Sequence, residues 1–236
     1  MKEIVELENK LGITFQNKDL LTEAITHRSY INEDPDWKTP HNERMEFLGD
    51  AVLELVTTEY LFNNYPNPEG ELTNWRAALV NAVMLTKIGL KFDLGESVLL
   101  SRGEAKDEGR ARQYILANAM EAIIGAIYLD KGYETVKKFI KKHILIELPE
   151  IIEKKLYKDH KSLLQELSQD EIGTTPTYEV MDEWGPDHDK HFKIGVYLGD
   201  ELIGEGEGPS KQEAQQSAAK KALEIHPIFK EKIGEM

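Results

Sequence analysis

The sequence predicts an all-α domain followed by a small α/β domain of α-β-β-β-α order, and three observations carry that expectation. Through residues 1–148, apolar side chains recur at spacings of three and four, the period of a helix with one buried face. Beyond about residue 158 the period falls to two in three short runs, the mark of half-buried strands. Between them, Glu153-Lys154-Lys155-Leu156-Tyr157-Lys158-Asp159 is dense in charge and reads as a helix end and linker. The expected boundaries are 1–150 for the helical domain, 151–157 for the linker, 158–226 for the α/β unit and 227–236 for a C-terminal tail.

Helices are expected near 2–11, 18–30, 43–64, 71–90, 113–129 and 133–147. Punctuation falls between them at Gly12, Asp34-Pro35, Pro66-Asn67-Pro68-Glu69-Gly70, Gly95, Gly103, Gly109 and Lys131-Gly132. The polar, glycine-containing stretch 101–112 reads as a mobile loop. In the second domain Ser162-Leu163-Leu164-Gln165-Glu166-Leu167 is a short helix. Strands follow at Thr177-Tyr178-Glu179-Val180-Met181, at 191–197 and at 201–206, and an alanine-rich helix at 210–225 closes the unit.

Composition narrows the function classes. Of 236 residues, 40% are hydrophobic and 31% charged, which suits a soluble globular protein. The absence of cysteine excludes disulfides, thiolate zinc sites and cysteine nucleophiles. No apolar run approaches the ~20 residues of a membrane span. The N-terminal Met1-Lys2-Glu3-Ile4-Val5-Glu6 lacks the apolar core of a signal peptide. A cytoplasmic protein without a membrane partner is expected. The net charge of −14, taken as a sum, argues against a nucleic-acid partner.

One segment stands out chemically. In His41-Asn42-Glu43-Arg44-Met45-Glu46-Phe47-Leu48-Gly49-Asp50-Ala51, the acids Glu43, Glu46 and Asp50 fall at i, i+3 and i+7, within an arc of about 60° on one helix face. Acids in a first turn are favoured by the helix dipole, which accounts for Glu43 and Glu46. It does not account for Asp50, two turns in. Stacked like charges are tolerated when a cation faces them, and a divalent ion with oxygen ligands is the usual candidate. A second apolar helix carries Asn118 and Glu121 at i, i+3, and its small residues Ala122, Gly125 and Ala126 allow another helix to approach closely. A carboxylate in such a helix is rare unless paired.

These motifs resemble a known family. The run Asn42 to Ala51 is similar to the signature of ribonuclease III. So are Leu20-Leu21 to Thr26-His27-Arg28-Ser29-Tyr30, Glu69-Gly70 before Leu72-Thr73, and Glu121-Ala122 to Gly125-Ala126-Ile127-Tyr128-Leu129-Asp130. The C-terminal unit resembles a double-stranded-RNA-binding domain through Leu164-Gln165-Glu166, Pro176, Tyr178, Gly185-Pro186-Asp187-His188, Phe192, Gly204-Glu205-Gly206, Ser210-Lys211 and the stretch from Ala214 to Ala222.

The resemblance implies a homodimeric endonuclease that hydrolyses double-stranded RNA with Mg²⁺, Mn²⁺ being able to substitute. Its products carry 5′-phosphates, 3′-hydroxyls and two-nucleotide 3′ overhangs, and its roles are ribosomal-RNA processing and RNA turnover. By position, Glu46, Asp50, Asn118 and Glu121 are the implied metal ligands, with Glu43 supporting and Glu69 approaching from a neighbouring loop or the partner subunit. Phe47 matches a dimer-interface position, ordinary core packing being its alternative. Gln165, His188, Lys211, Gln212 and Gln215 are implied RNA contacts.

Two features run against the pattern. The family normally has aspartate where this chain has Asn118. A neutral ligand at a working site, a deliberate substitution, and a non-cleaving double-stranded-RNA-binding protein are the three readings, and the retained acids favour an active enzyme. Residues 158–224 hold seven lysines, no arginine and fifteen acids, a balance of −8. Placement can outweigh that sum because phosphate contacts are local, but modest affinity is expected. Arg102, Lys106, Arg110 and Arg112 read either as an RNA-backbone contact or as a solvated loop against Glu104, Asp107 and Glu108.

Overall fold

A computed structural model describes residues 2–34, 36–106, 109–186 and 189–235. The chain divides into two compact units, Met1–Ile151 and Ile152–Met236.

The first unit is helical: α1 (Lys2–Leu11), α2 (Lys18–Ala24), α3 (Arg28–Glu33), α4 (Glu43–Asn64), α5 (Glu69–Val80), α6 (Ala82–Leu90), α7 (Leu94–Ser97), α8 (Arg110–Lys131), α9 (Tyr133–His143) and α10 (Leu148–Glu153), with 3₁₀ turns at Glu104–Lys106 and Leu145–Glu147. The central helix is α8. Ile115, Leu116, Ala119, Met120, Ile123, Ile124 and Ile127 are all buried, covering most of its circumference, as a helix in the middle of a core requires. It stops at Gly132, whose φ of +77° suits glycine.

α4 crosses α8 at backbone contact. A Cβ added to Gly49 would lie 1.8 Å from the Glu121 carbonyl oxygen, and one on Gly125 would lie 2.5 Å from that of Met45. Only hydrogen fits at either position. The crossing therefore sets Glu46 and Asp50, which flank Gly49, against Glu121.

Two expected helices are broken. The one over 18–30 is interrupted because Thr26 forms a parallel bridge with Leu99. The His27 N–H donates to Leu99 O at 3.1 Å and the Leu99 N–H to Ile25 O at 2.8 Å. Asn42 locks the same turn, its N–H donating to Thr26 O and its side-chain amide to Ala24 O. The helix over 71–90 is split at Asn81, whose side chain accepts from the Met84 N–H and starts α6. The stretch 101–112 also departs from a plain loop: it contains a 3₁₀ turn and α8 begins at Arg110. Asp107 and Glu108 lie outside the described residues.

The second unit runs α11 (His160–Glu171), β1 (Thr177–Trp184), β2 (His191–Leu198), β3 (Glu201–Gly208), α12 (Lys211–Ile225) and α13 (Pro227–Glu235). Asp159 caps α11 by accepting from the Ser162 N–H. The sheet is antiparallel in the order β1-β2-β3. Its core joins Leu163, Leu164 and Leu167 to Val196, Ile203, Ala218, Ala219, Ala222 and Leu223. The alanine face of α12 lies directly on β3, where a Cβ on Gly206 would come 2.1 Å from the Ala218 nitrogen. Residues 227–235 form a helix rather than a tail, anchored by the fully buried Phe229. Among the described residues no helix is long and apolar enough to cross a membrane.

Candidate active site and nucleic-acid interface

The α4–α8 crossing gathers most of the acids singled out by spacing. The Asn118 side chain, across the two helices, favours the charged form of Glu46. Glu121, half-buried, feels the charges of both Asp50 and Glu46. Burial first, then those two carboxylates, push its carboxyl up to about 8. Burial also raises Glu46, helped by Glu43 and Asp50 and opposed by the Asn118 side chain. No cation is among the groups acting on either acid.

Among the described residues, no group of three or more His, Asp or Glu side chains is gathered tightly enough, as placed, to hold a metal ion. The donor set nonetheless fits a hard divalent cation. Every candidate ligand offers oxygen, and the raised Glu121 marks a place short of positive charge.

The outer acids sit differently. Glu43 is exposed; its Oε1 lies 3.4 Å from Arg28 Nη1 and its Oε2 3.8 Å from His41 Nδ1. Glu69, first residue of α5, is not part of this cluster. It accepts from the Thr73 hydroxyl at 3.1 Å and lines a separate 550 Å³ groove with Leu61, Phe62, Tyr65 and Leu72. Phe47 is no core residue, being 80% exposed.

On the second unit Gln165 is exposed on α11 and Lys211 opens α12, with its Nζ 5.6 Å from the centre of the Phe192 ring. Gln212 is exposed beside it. Gln215 is already engaged, its Oε1 accepting from Lys161 Nζ at 2.6 Å. His188 lies outside the described residues. In the first unit Arg112 is tied into the fold, donating to Gly95 O. Sequence reasoning assigned no role to His27 and Arg28, although both line a cavity with Glu43, Glu46 and Asn118.

The raised Glu121 has a measurable consequence. Its ordinary value is 4.5 and its folded value about 8, so between those limits the folded state holds a proton that the unfolded chain has released. Stability of the metal-free protein therefore falls as pH rises through that window. Denaturant titrations in EDTA at about pH 5.5 and about pH 8.5 should show Glu121→Gln gaining stability relative to the parent chain at the higher pH. A difference that stays constant across the window would show that Glu121 titrates normally.

Comparison with known proteins agrees with this geometry. Residues 17–148 match the family model described as ribonuclease-III-like, and residues 160–226 match the double-stranded RNA binding motif. A protein named Ribonuclease 3 from a Nitratiruptor species is 47% identical over 227 residues, covering 95% of this chain and 97% of that one. Ribonuclease 3 of Natranaerobius thermophilus is 47% identical over 219 residues, covering 92% of this chain and 94% of that one. Among solved structures, the nuclease domain of ribonuclease III from Campylobacter jejuni, described as flexible in a region involved in dimer formation, superposes with a TM-score of 0.56 at 43% identity, covering 62% of this chain and 99% of that one. With its carboxylates facing each other across α4 and α8 and its α-β-β-β-α unit following them in the sequence, this chain belongs to the ribonuclease III family.

Proposed function

We propose that the protein is a divalent-metal-dependent endoribonuclease of double-stranded RNA, working with Mg²⁺ or Mn²⁺ in RNA processing. The observation that carries this reading is the uncompensated carboxyl of Glu121 facing Glu46 and Asp50. Glu46, Asp50 and Glu121, with the Asn118 side-chain oxygen, would hold the ion. Bound there, it supplies Lewis acidity, offsetting phosphate charge and acidifying the attacking water. Hydrolysis adds water oxygen to phosphorus and breaks the P–O3′ bond, leaving a 5′-phosphate and a 3′-hydroxyl. Cuts offset on the two strands give two-nucleotide 3′ overhangs. Asn118 contributes no charge, but its side chain favours the charged form of Glu46.

The staggered cut calls for two sites, and α4 offers the surface that makes them. Phe47, Leu55 and Phe62 are all exposed along it, and the Leu61–Tyr65 groove lies at its far end. Phe47 and Phe62 are 15 positions apart, about 22 Å along the axis. A two-fold axis between antiparallel copies of α4 would seat each Phe47 in the other copy's groove, a self-complementary interface. It would also bring the partner subunit's Glu69 toward Glu46 and Asp50. The second unit would hold the duplex through Gln165, His188, Lys211 and Gln212. Its few lysines predict modest affinity.

Long double-stranded RNA incubated with Mg²⁺ or Mn²⁺ should be cut to short duplexes, and Asn118→Asp should raise the Mg²⁺-dependent rate severalfold. A mobility shift without cleavage would support a binding protein instead, and equal or lower activity in the variant would show Asn118 to be adapted to this site. Phe47→Asp should sediment as a monomer and lose paired cleavage; an unchanged dimer would rule out this interface.

A further inference from the structure

We propose that His27 and Arg28 form a phosphate-holding arm beside the carboxylates, gripping a backbone phosphate adjacent to the one that is cleaved. The proposal rests on the nuclease reading and names the part of the substrate that this corner of the site takes.

A cavity of 410 Å³ is lined by His27, Arg28, Asn42, Glu43, Glu46 and Asn118. Two of these are carboxylates, so an RNA strand can enter only where donors offset its charge. Among the described residues that line it, Arg28 is the one permanent cation. Its Nη1 lies 3.4 Å from Glu43 Oε1 and its side chain is 70% exposed, so it is tethered, not consumed. Most of its five N–H donors remain for an anion. Glu43 then acts as the positioning residue for Arg28.

His27 is held more tightly than its exposure requires. Its backbone is fixed by the N–H bond to Leu99 O next to the wholly buried Thr26. Its Nδ1 accepts from the Ser29 N–H at 3.3 Å and lies 2.8 Å from Ser29 Oγ. That oxygen accepts from the Ser101 N–H at 3.0 Å, leaving the hydroxyl proton for Nδ1. With Nδ1 filled, the ring proton sits on Nε2, which makes no hydrogen bond among the described residues. Burial disfavours protonation of the ring. A donor fixed in direction and unused by the protein is preorganised for an incoming acceptor. The phosphate next to the scissile one keeps its charge throughout hydrolysis, so these contacts are equally strong in ground and transition states and act on KM.

The test uses the full-length protein with His27→Asn, His27→Gln and Arg28→Gln. Asparagine can satisfy the Ser29 side but offers nothing at the Nε2 position; glutamine places an amide donor there. His27→Asn and Arg28→Gln should each lose about tenfold in kcat/KM, the worth of a hydrogen bond to a charged group. The loss should fall in KM, and His27→Gln should recover most of it at unchanged Tm. In EDTA, affinity for a labelled RNA duplex read against salt should lose about 0.9 from its log–log slope per protomer in Arg28→Gln. Unchanged KM and slope would overturn the proposal, as would a loss confined to kcat or a defect in both His27 variants that tracks a fall in Tm. The slope needs no cleavage, so it decides the matter even if the wild-type chain proves not to cut RNA.

Discussion

The site depends on one steric constraint, the contact of two helix backbones at Gly49 and Gly125. With any side chain at either glycine, α4 would be driven away from the Glu121 and Met45 carbonyls. Overpacking of this kind typically costs about 1–3 kcal/mol and displaces backbone. Displacement matters more than the energy here. Glu46 and Asp50 flank Gly49, and Glu121 is the residue its Cβ would strike. Driving the helices apart would separate Glu46 and Asp50 from Glu121.

That closeness has an electrostatic cost which the fold leaves uncompensated. Elsewhere the protein pairs its enclosed acids: Glu8 with Lys18, and Glu147 with both Lys87 and Lys91. The hydrogen bonds from those lysines draw Glu147 below the usual carboxylate range. Glu121 moves the opposite way. Lysine neutralises those acids, whereas no cation is among the groups acting on Glu121, which is why the proposed ion is placed there. The same local logic reconciles an acidic protein with an RNA substrate. Arg28 lines the cavity beside Glu43 and Glu46, and Lys211 opens α12, so the proposed phosphate contacts rest on local cations and not on the overall sum.

Much of this was legible because it depends on local spacing. The i, i+3, i+7 acids of α4 define a face without any knowledge of the partner helix, and Ala122, Gly125 and Ala126 announce that a helix comes close. Period-two runs placed the three strands within a few residues of their ends. What was not legible depends on residues far apart in sequence. The break at Thr26–His27 is imposed by Leu99, some seventy positions away, against a periodicity that would have continued the helix. Gln215 is taken by Lys161 from another helix. Phe229 belongs to the core although the pattern around it reads as a terminus. The direction of the His27 ring was not legible either, because Ser29 and Ser101 set it together.

On the proposed reading, acids from α4 and α8 share a divalent ion. Crystals soaked in Mn²⁺ and measured for anomalous scattering test it directly. A peak is expected between the two helices, about 2.1 Å from carboxylate oxygens of Glu46, Asp50 and Glu121. A saturated soak with no peak there, or with manganese held only by acids elsewhere, would contradict it.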